Sequence, residues 1–139
     1  MTRVIVILSS RVIVILSFML LLSGCVATVS EAINQGGVKL GAEGIRAEFS
    51  GKVFSGKFVQ GYVASHQFAF GADGESLSLD GNDGGRWYPD SEGHLCLDWP
   101  KSLGWRGKGY CFTALKEGKG YGLYDRTIDQ LRLRFTETQ

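Results

Sequence analysis

The sequence predicts a mainly β protein: a small antiparallel barrel or curved sheet of about eight short strands, with one short N-terminal helix. Three observations carry this. Past residue 52, short aromatic and β-branched segments recur about every ten residues, too closely for the crossovers of a dozen or more residues that parallel pairing needs. Gly and Asp turns cut these segments apart. Within them apolar and polar residues alternate, which is the two-residue period of a half-buried strand.

In chain order, residues 26–37 have weak periodicity and end in Gly36-Gly37, so they predict a flexible tether. Residues 42–49 set Ile45, Glu48 and Phe49 at helical spacing and meet Gly51 just beyond, the pattern of one short helix with a glycine stop. Strands are predicted over 52–59, 62–70, 76–79, 85–88, 94–99, 109–115, 120–124 and 127–135. Their separators, 71–74, 80–85, 89–93 and 116–120, are rich in Gly, Asp and Glu and read as turns. In 94–99, Leu95, Leu97 and Trp99 share one face while His94, Cys96 and Asp98 share the other. Leu131, Leu133 and Phe135 alternate with Arg132 and Arg134 in the same way.

The first 24 residues are a different material. Two copies of Arg-Val-Ile-Val-Ile-Leu-Ser begin at Arg3 and Arg11, and the second runs into an apolar stretch that ends in Ser23-Gly24. A basic start, a short apolar run and small residues are the order of a secretory signal. An uncleaved membrane anchor over 4–22 would place Arg11 near the bilayer centre, at roughly 2.5 to 3.5 kcal/mol. The signal reading buries no charge.

Leu22-Ser23-Gly24-Cys25 resembles the lipobox of bacterial prolipoproteins over all four positions. The resemblance implies that Cys25 becomes the mature N-terminus and carries the lipid, giving residues 1–24 as signal peptide, 25–37 as lipidated tether and 38–139 as a single β-rich domain. Multiple acyl chains hold a protein lastingly at a bilayer, whereas one holds it only marginally. Val26 stands where Asp would resemble an inner-membrane retention signal, so sorting to the outer membrane is expected, facing periplasm or surface. With lipid on Cys25, the remaining cysteines are Cys96 and Cys111, and an oxidising compartment makes them an expected disulfide. Closing about 15 residues in this way is worth roughly 3 kcal/mol in the chain-entropy model.

The chain's formal charge is +1, and both cations of the signal, Arg3 and Arg11, leave with it, so the mature domain is slightly acidic. That gives no electrostatic footprint for nucleic acid. Gly85-Arg-Trp87, Glu92-Gly-His-Leu-Cys96, Trp99, Tyr110-Cys-Phe112 and Glu117-Gly-Lys-Gly-Tyr121 resemble a family of small secreted bacterial domains of unknown function. That family's pattern is Gly-x-Trp, an acidic-Gly turn into Cys-x-x-Trp, a second Cys and Asp-Gly-x-Gly-Tyr. Glu117 stands where the family commonly has Asp. The resemblance covers roughly residues 41–125 and implies the β fold and the disulfide, with no activity attached. In size and lipoprotein organisation the chain also resembles small-barrel bacterial protease inhibitors.

Sequence signatures of catalysis are sparse. There is no G-x-S-x-G elbow, HExxH or phosphate-cradling loop, and Gly118-Lys-Gly-Tyr-Gly122 reads as a hairpin turn. Asp80, Asn82 and Asp83 lack the EF-hand spacing and read as a solvated turn, and the acid pair Asp90 and Glu92 is not expected to serve as glycosidase acids, since sequence does not give the carboxylate separation. His66 and His94 read as surface or rim histidines, and no cofactor or metal is expected. The loop between the two cysteines gathers Trp99, Lys101, Trp105, Arg106, Lys108 and Tyr110. Aromatic and cationic anchors of this kind dominate binding hot spots. The expected function is therefore a non-enzymatic interaction or binding module that meets an envelope protein or glycan. A protease inhibitor or small-ligand carrier is the alternative.

Overall fold

A computed structural model describes residues 27–61, 64–100 and 109–138. After a helix α1 (Val29–Asn34), a two-residue strand β1 (Val38–Lys39) and a helix α2 (Ala42–Phe49), eight strands follow. They are β2 (Val53–Phe58), β3 (Ser65–Phe70), β4 (Ser76–Leu79), β5 (Asn82–Pro89), β6 (Leu95–Asp98), β7 (Tyr110–Glu117), β8 (Gly120–Asp125) and β9 (Gln130–Glu137). Each pairs antiparallel with the next, and β9 returns to β2. Of the two predicted architectures, the closed barrel is the one formed. β1 adds an extra strand alongside the last residues of β7, beyond the end of β6.

Short connections make this meander possible. Asp80 and Gly81 both have positive φ, 51° and 78°, which is the two-residue hairpin turn whose twist matches its strands. Leu79 therefore pairs directly with Asn82. The sequence reading of 80–85 as a turn is corrected here, because residues from Asn82 onward already belong to β5.

The barrel interior is filled. Phe54, Phe68, Phe70, Leu77, Trp87, Leu95, Leu97, Leu123, Leu133 and Phe135 are all buried in one core. Gly56 is what lets β2 lie over this cluster. The Phe68 and Phe135 rings pack 4.8 Å apart beneath it, and a Cβ at Gly56 would stand 2.6 Å from the Phe135 ring. Helix α2 plugs one end, placing Ile45 and Phe49, one turn apart, against the lumen with no exposure. The Phe49 ring lies 5.1 Å from Phe54, 5.1 Å from Phe70 and 5.0 Å from Tyr121. Trp87 Nε1 is buried without a hydrogen-bond partner among the described residues. This costs about 1–3 kcal/mol, which burial of the ring must offset.

Two features of the outer wall depart from expectation. In β9, Leu133 pairs with Leu123 but Leu131 pairs with Tyr124, so Arg132 is an extra residue that shifts the register. The bulge turns Leu131 outward, away from Leu133 and Phe135. There Leu131 joins Leu115, Tyr124 and Ala32 in a second apolar cluster beneath α1. The second departure concerns the expected tether, which is structured from Ala27 onward. The Leu131 N–H donates to the Ala27 carbonyl at 3.0 Å, and the Val29 N–H donates to Asp129 Oδ1 at 3.1 Å. Thr28 caps α1 in a reciprocal box with Glu31, whose carboxylate accepts from the Thr28 N–H at 3.0 Å. Six residues are too few to show helical periodicity, and the apolar seat exists only because of the bulge.

Cys96 and Cys111 are register partners on β6 and β7 and are joined as a disulfide on the outer side of the barrel. Replacing Phe49 by Ala should cost about 3–5 kcal/mol in urea or thermal unfolding, because the cavity would open at the plugged end where α2 has no other large aromatic to fill it. A loss below about 1 kcal/mol would mean that α2 is not the plug.

Candidate functional site

The end of the barrel opposite α2 is a mouth. Phe58 from β2, Trp99, Tyr110 and Phe112 from β7, Asp125 from β8 and Arg132 from β9 line a recess of about 330 Å³. Its floor is apolar. Trp99 is 4% exposed, with its ring centroid 6.5 Å from Phe58 and 5.9 Å from Phe68. Tyr110 stacks on Phe112 at 6.5 Å and is half exposed. Beside it lies a charged pair on the rim, where Arg132 Nε lies 3.6 Å from Asp125 Oδ2 and Arg132 Nη1 donates to Gln60 Oε1 at 2.9 Å. Asp125 also accepts from the N–H groups of Thr127 and Ile128, which fixes the β8–β9 turn. The recess can receive one apolar or aromatic group and pair a charge beside it.

Of the residues expected to meet a partner, Trp99 forms the wall of the recess and Tyr110 its exposed lip. Lys101, Trp105, Arg106 and Lys108 lie outside the described residues, as does Cys25. Sequence reasoning missed Phe58, Phe112, Asp125 and Arg132. Strict alternation places Arg132 on the outer face, and only the bulge in β9 brings it to the mouth.

Also on the rim, His66 Nδ1 meets Asp80 Oδ2 at 2.7 Å. That hydrogen bond, against some burial cost and with help from the Gln67 N–H, holds the Asp80 carboxyl below the usual range. The Asp80 carboxylate is thus engaged with its own barrel.

A second polar group sits on the outer wall near the disulfide. His94 Nδ1 lies 3.1 Å from Asp90 Oδ2 and 3.5 Å from Glu92 Oε2, and Arg126 Nη1 reaches the same two carboxylates at 3.4 and 3.8 Å. Burial opposes ionisation of Asp90. The backbone N–H and ring of His94 and the Glu92 N–H outweigh it and lower the Asp90 pKa. Asp90, Glu92 and His94 come within metal-ligating distance of one another, but Arg126 already places a cation among them. Their chemistry is that of a salt-bridged turn tying β5 and β6 to β8.

At the plugged end, Glu48 of α2 accepts from Lys116 Nζ at 2.8 Å and from the Tyr121 hydroxyl at 2.5 Å. These bonds hold the Glu48 carboxyl below its ordinary pKa, and burial together with Glu48 raises that of Tyr121.

No protein-family model, curated protein or solved structure matches this chain.

Because the folded-state pKa of Glu48 is lowered, its contribution to stability is complete above the ordinary glutamate range and disappears as pH falls through the lowered value. Thermal melts of Glu48→Gln should therefore lose less stability than wild type between about pH 5 and pH 3. Parallel acid limbs would remove the clamp between α2 and β7.

Proposed function

We propose that the protein is a lipid-anchored cell-envelope lipoprotein whose barrel serves as a non-enzymatic interaction module, binding through its mouth. The observation that carries this reading is the division of the barrel into a filled lumen and one aromatic end that no helix covers among the described residues. Rings packed at 4.8–6.1 Å around Phe49 and Phe135 occupy the space in which a carrier would hold its ligand. Contact is left to the surface. There the mouth offers Tyr110 at the rim, an apolar recess behind it and the Asp125–Arg132 pair beside it. A cross-strand disulfide fixes the strands that flank the 99–109 connection, the stretch of sequence that carries Lys101, Trp105, Arg106 and Lys108. Anchoring of this kind cuts the ordering cost of binding.

The lipobox supports attachment at Cys25. No helix among the described residues is long and apolar enough to cross a membrane. The protease-inhibitor alternative would use the same end, with the loop entering a protease cleft.

In cells, palmitate should label the wild type and not Cys25→Ala. A photo-reactive phenylalanine at position 110 should capture an envelope component that the same group at position 119 does not. Palmitate labelling that survives Cys25→Ala removes the anchor. Equal capture at the two positions removes the mouth as the binding surface.

A further inference from the structure

The N-terminal chain enters the fold at the mouth. Ala27 is hydrogen-bonded to Leu131, and Val29 to Asp129, both at the start of β9 beside the β8–β9 turn. Helix α1 then runs along the wall toward the plugged end, where Val38 pairs with Lys116. Only Val26 separates Ala27 from Cys25. Two residue steps span at most about 7 Å, even fully extended. A lipid on Cys25 is thus leashed to the rim of the barrel, far closer than the roughly 20 Å r.m.s. that a twelve-residue flexible tether would give.

The same end carries exposed apolar side chains on three separate connections. Val59 follows β2, Tyr110 opens β7 and Ile128 lies in the β8–β9 turn, at 47%, 53% and 47% exposure. The other large exposed apolar residues among the described residues, Ile33, Val38 and Tyr88, lie on α1, β1 and the wall of β5. Three carboxylates near the mouth are engaged in its turns: Asp129 with the Val29 N–H, Asp125 with Thr127, Ile128 and Arg132, and Asp80 with His66 and Gln67; Asp83 of β5 and Asp98 of β6 stand at this end as well. Tyr side chains favour the headgroup level of a bilayer, and small apolar side chains gain by entering it.

We infer that the mouth faces the bilayer to which the protein is anchored, with Val59, Tyr110 and Ile128 seated among the lipid headgroups and α2 pointing away from the membrane. This rests on the lipoprotein reading and names the partner of the mouth as the lipid surface. The barrel would stand on its mouth. The Glu48 clamp and the β7–β8 turn would then face the aqueous space.

The test uses the mature lipidated protein in vesicles of phosphatidylethanolamine and phosphatidylglycerol that contain a spin-labelled phosphatidylcholine. A fluorophore is placed in turn by Ile128→Cys, Val59→Cys, Ile33→Cys and Lys119→Cys, and the mass of the N-terminal peptide reports the lipid on Cys25. Quenching at 128 and 59 should exceed that at 33 and 119 several-fold. A modified Cys25 with strongest quenching at 33 would lay the barrel on its α1 side. A modified Cys25 with 128 and 59 unquenched would leave the mouth free for a protein. Either result overturns the orientation while leaving the anchor intact. An unmodified Cys25 overturns both.

Discussion

Pairing of the first barrel strand with the last is the constraint on which the rest of the structure depends. Residues Phe54 to Phe58 on β2 lie against Glu137 to Leu133 on β9, so that the register closes a ring instead of leaving two free edges. Closed barrels escape edge-to-edge association because they have no unpaired edge. Closure also defines an inside. Phe54 and Phe135, which the pairing brings within 5.5 Å, are the seam of the aromatic core, and Gly56 is the point at which that seam can pass two rings beneath the backbone. An eight-strand ring has an interior just wide enough for side chains to fill.

Given a filled ring, the two ends diverge in character. One is plugged by Ile45 and Phe49 and clamped from outside by the Glu48, Lys116 and Tyr121 group. The other has no helix over it among the described residues and presents a recess with aromatic walls. The disulfide bears on that second end, since it joins β6 and β7 where they part into the 99–109 connection. The entry of the N-terminal segment bears on it too. A bulge of one residue in β9 therefore has two consequences at once: it turns Leu131 out to seat the chain at Ala27, and it brings Arg132 to the rim.

Much of this was legible in the sequence, for physical reasons that also mark where legibility ends. Helix α2 spans the predicted 42–49, because Ile45, Phe49 and the Gly51 stop are local signals. The faces of β6 followed from alternation, and Cys96 meets Cys111 across neighbouring strands as expected. The eight strands were present, with ends shifted by a few residues where Gly81 made a tighter turn than its Gly-rich surroundings suggested. Misreadings arose where a distant partner decides the outcome. Strict alternation in β9 failed at Arg132 because the register is set by β8. The stretch after Cys25 looked like a tether because its helix is stabilised by an apolar patch assembled from β7, β8 and β9. The capping box Thr28-x-x-Glu31 was the one local signal of that helix. The mouth draws its residues from β2, β7, β8 and β9, and no short motif can spell such a set.

The central claim is that closure makes the barrel one cooperative unit. Native-state hydrogen exchange measures this most directly. The account predicts that amides of the β2–β9 ladder exchange with the same opening free energy as those of the disulfide-stapled β6–β7 ladder, both at the value for global unfolding. Exchange of the β2–β9 amides through a distinctly cheaper opening, with β6–β7 still protected, would show an open sheet that merely curls upon itself and would contradict the account.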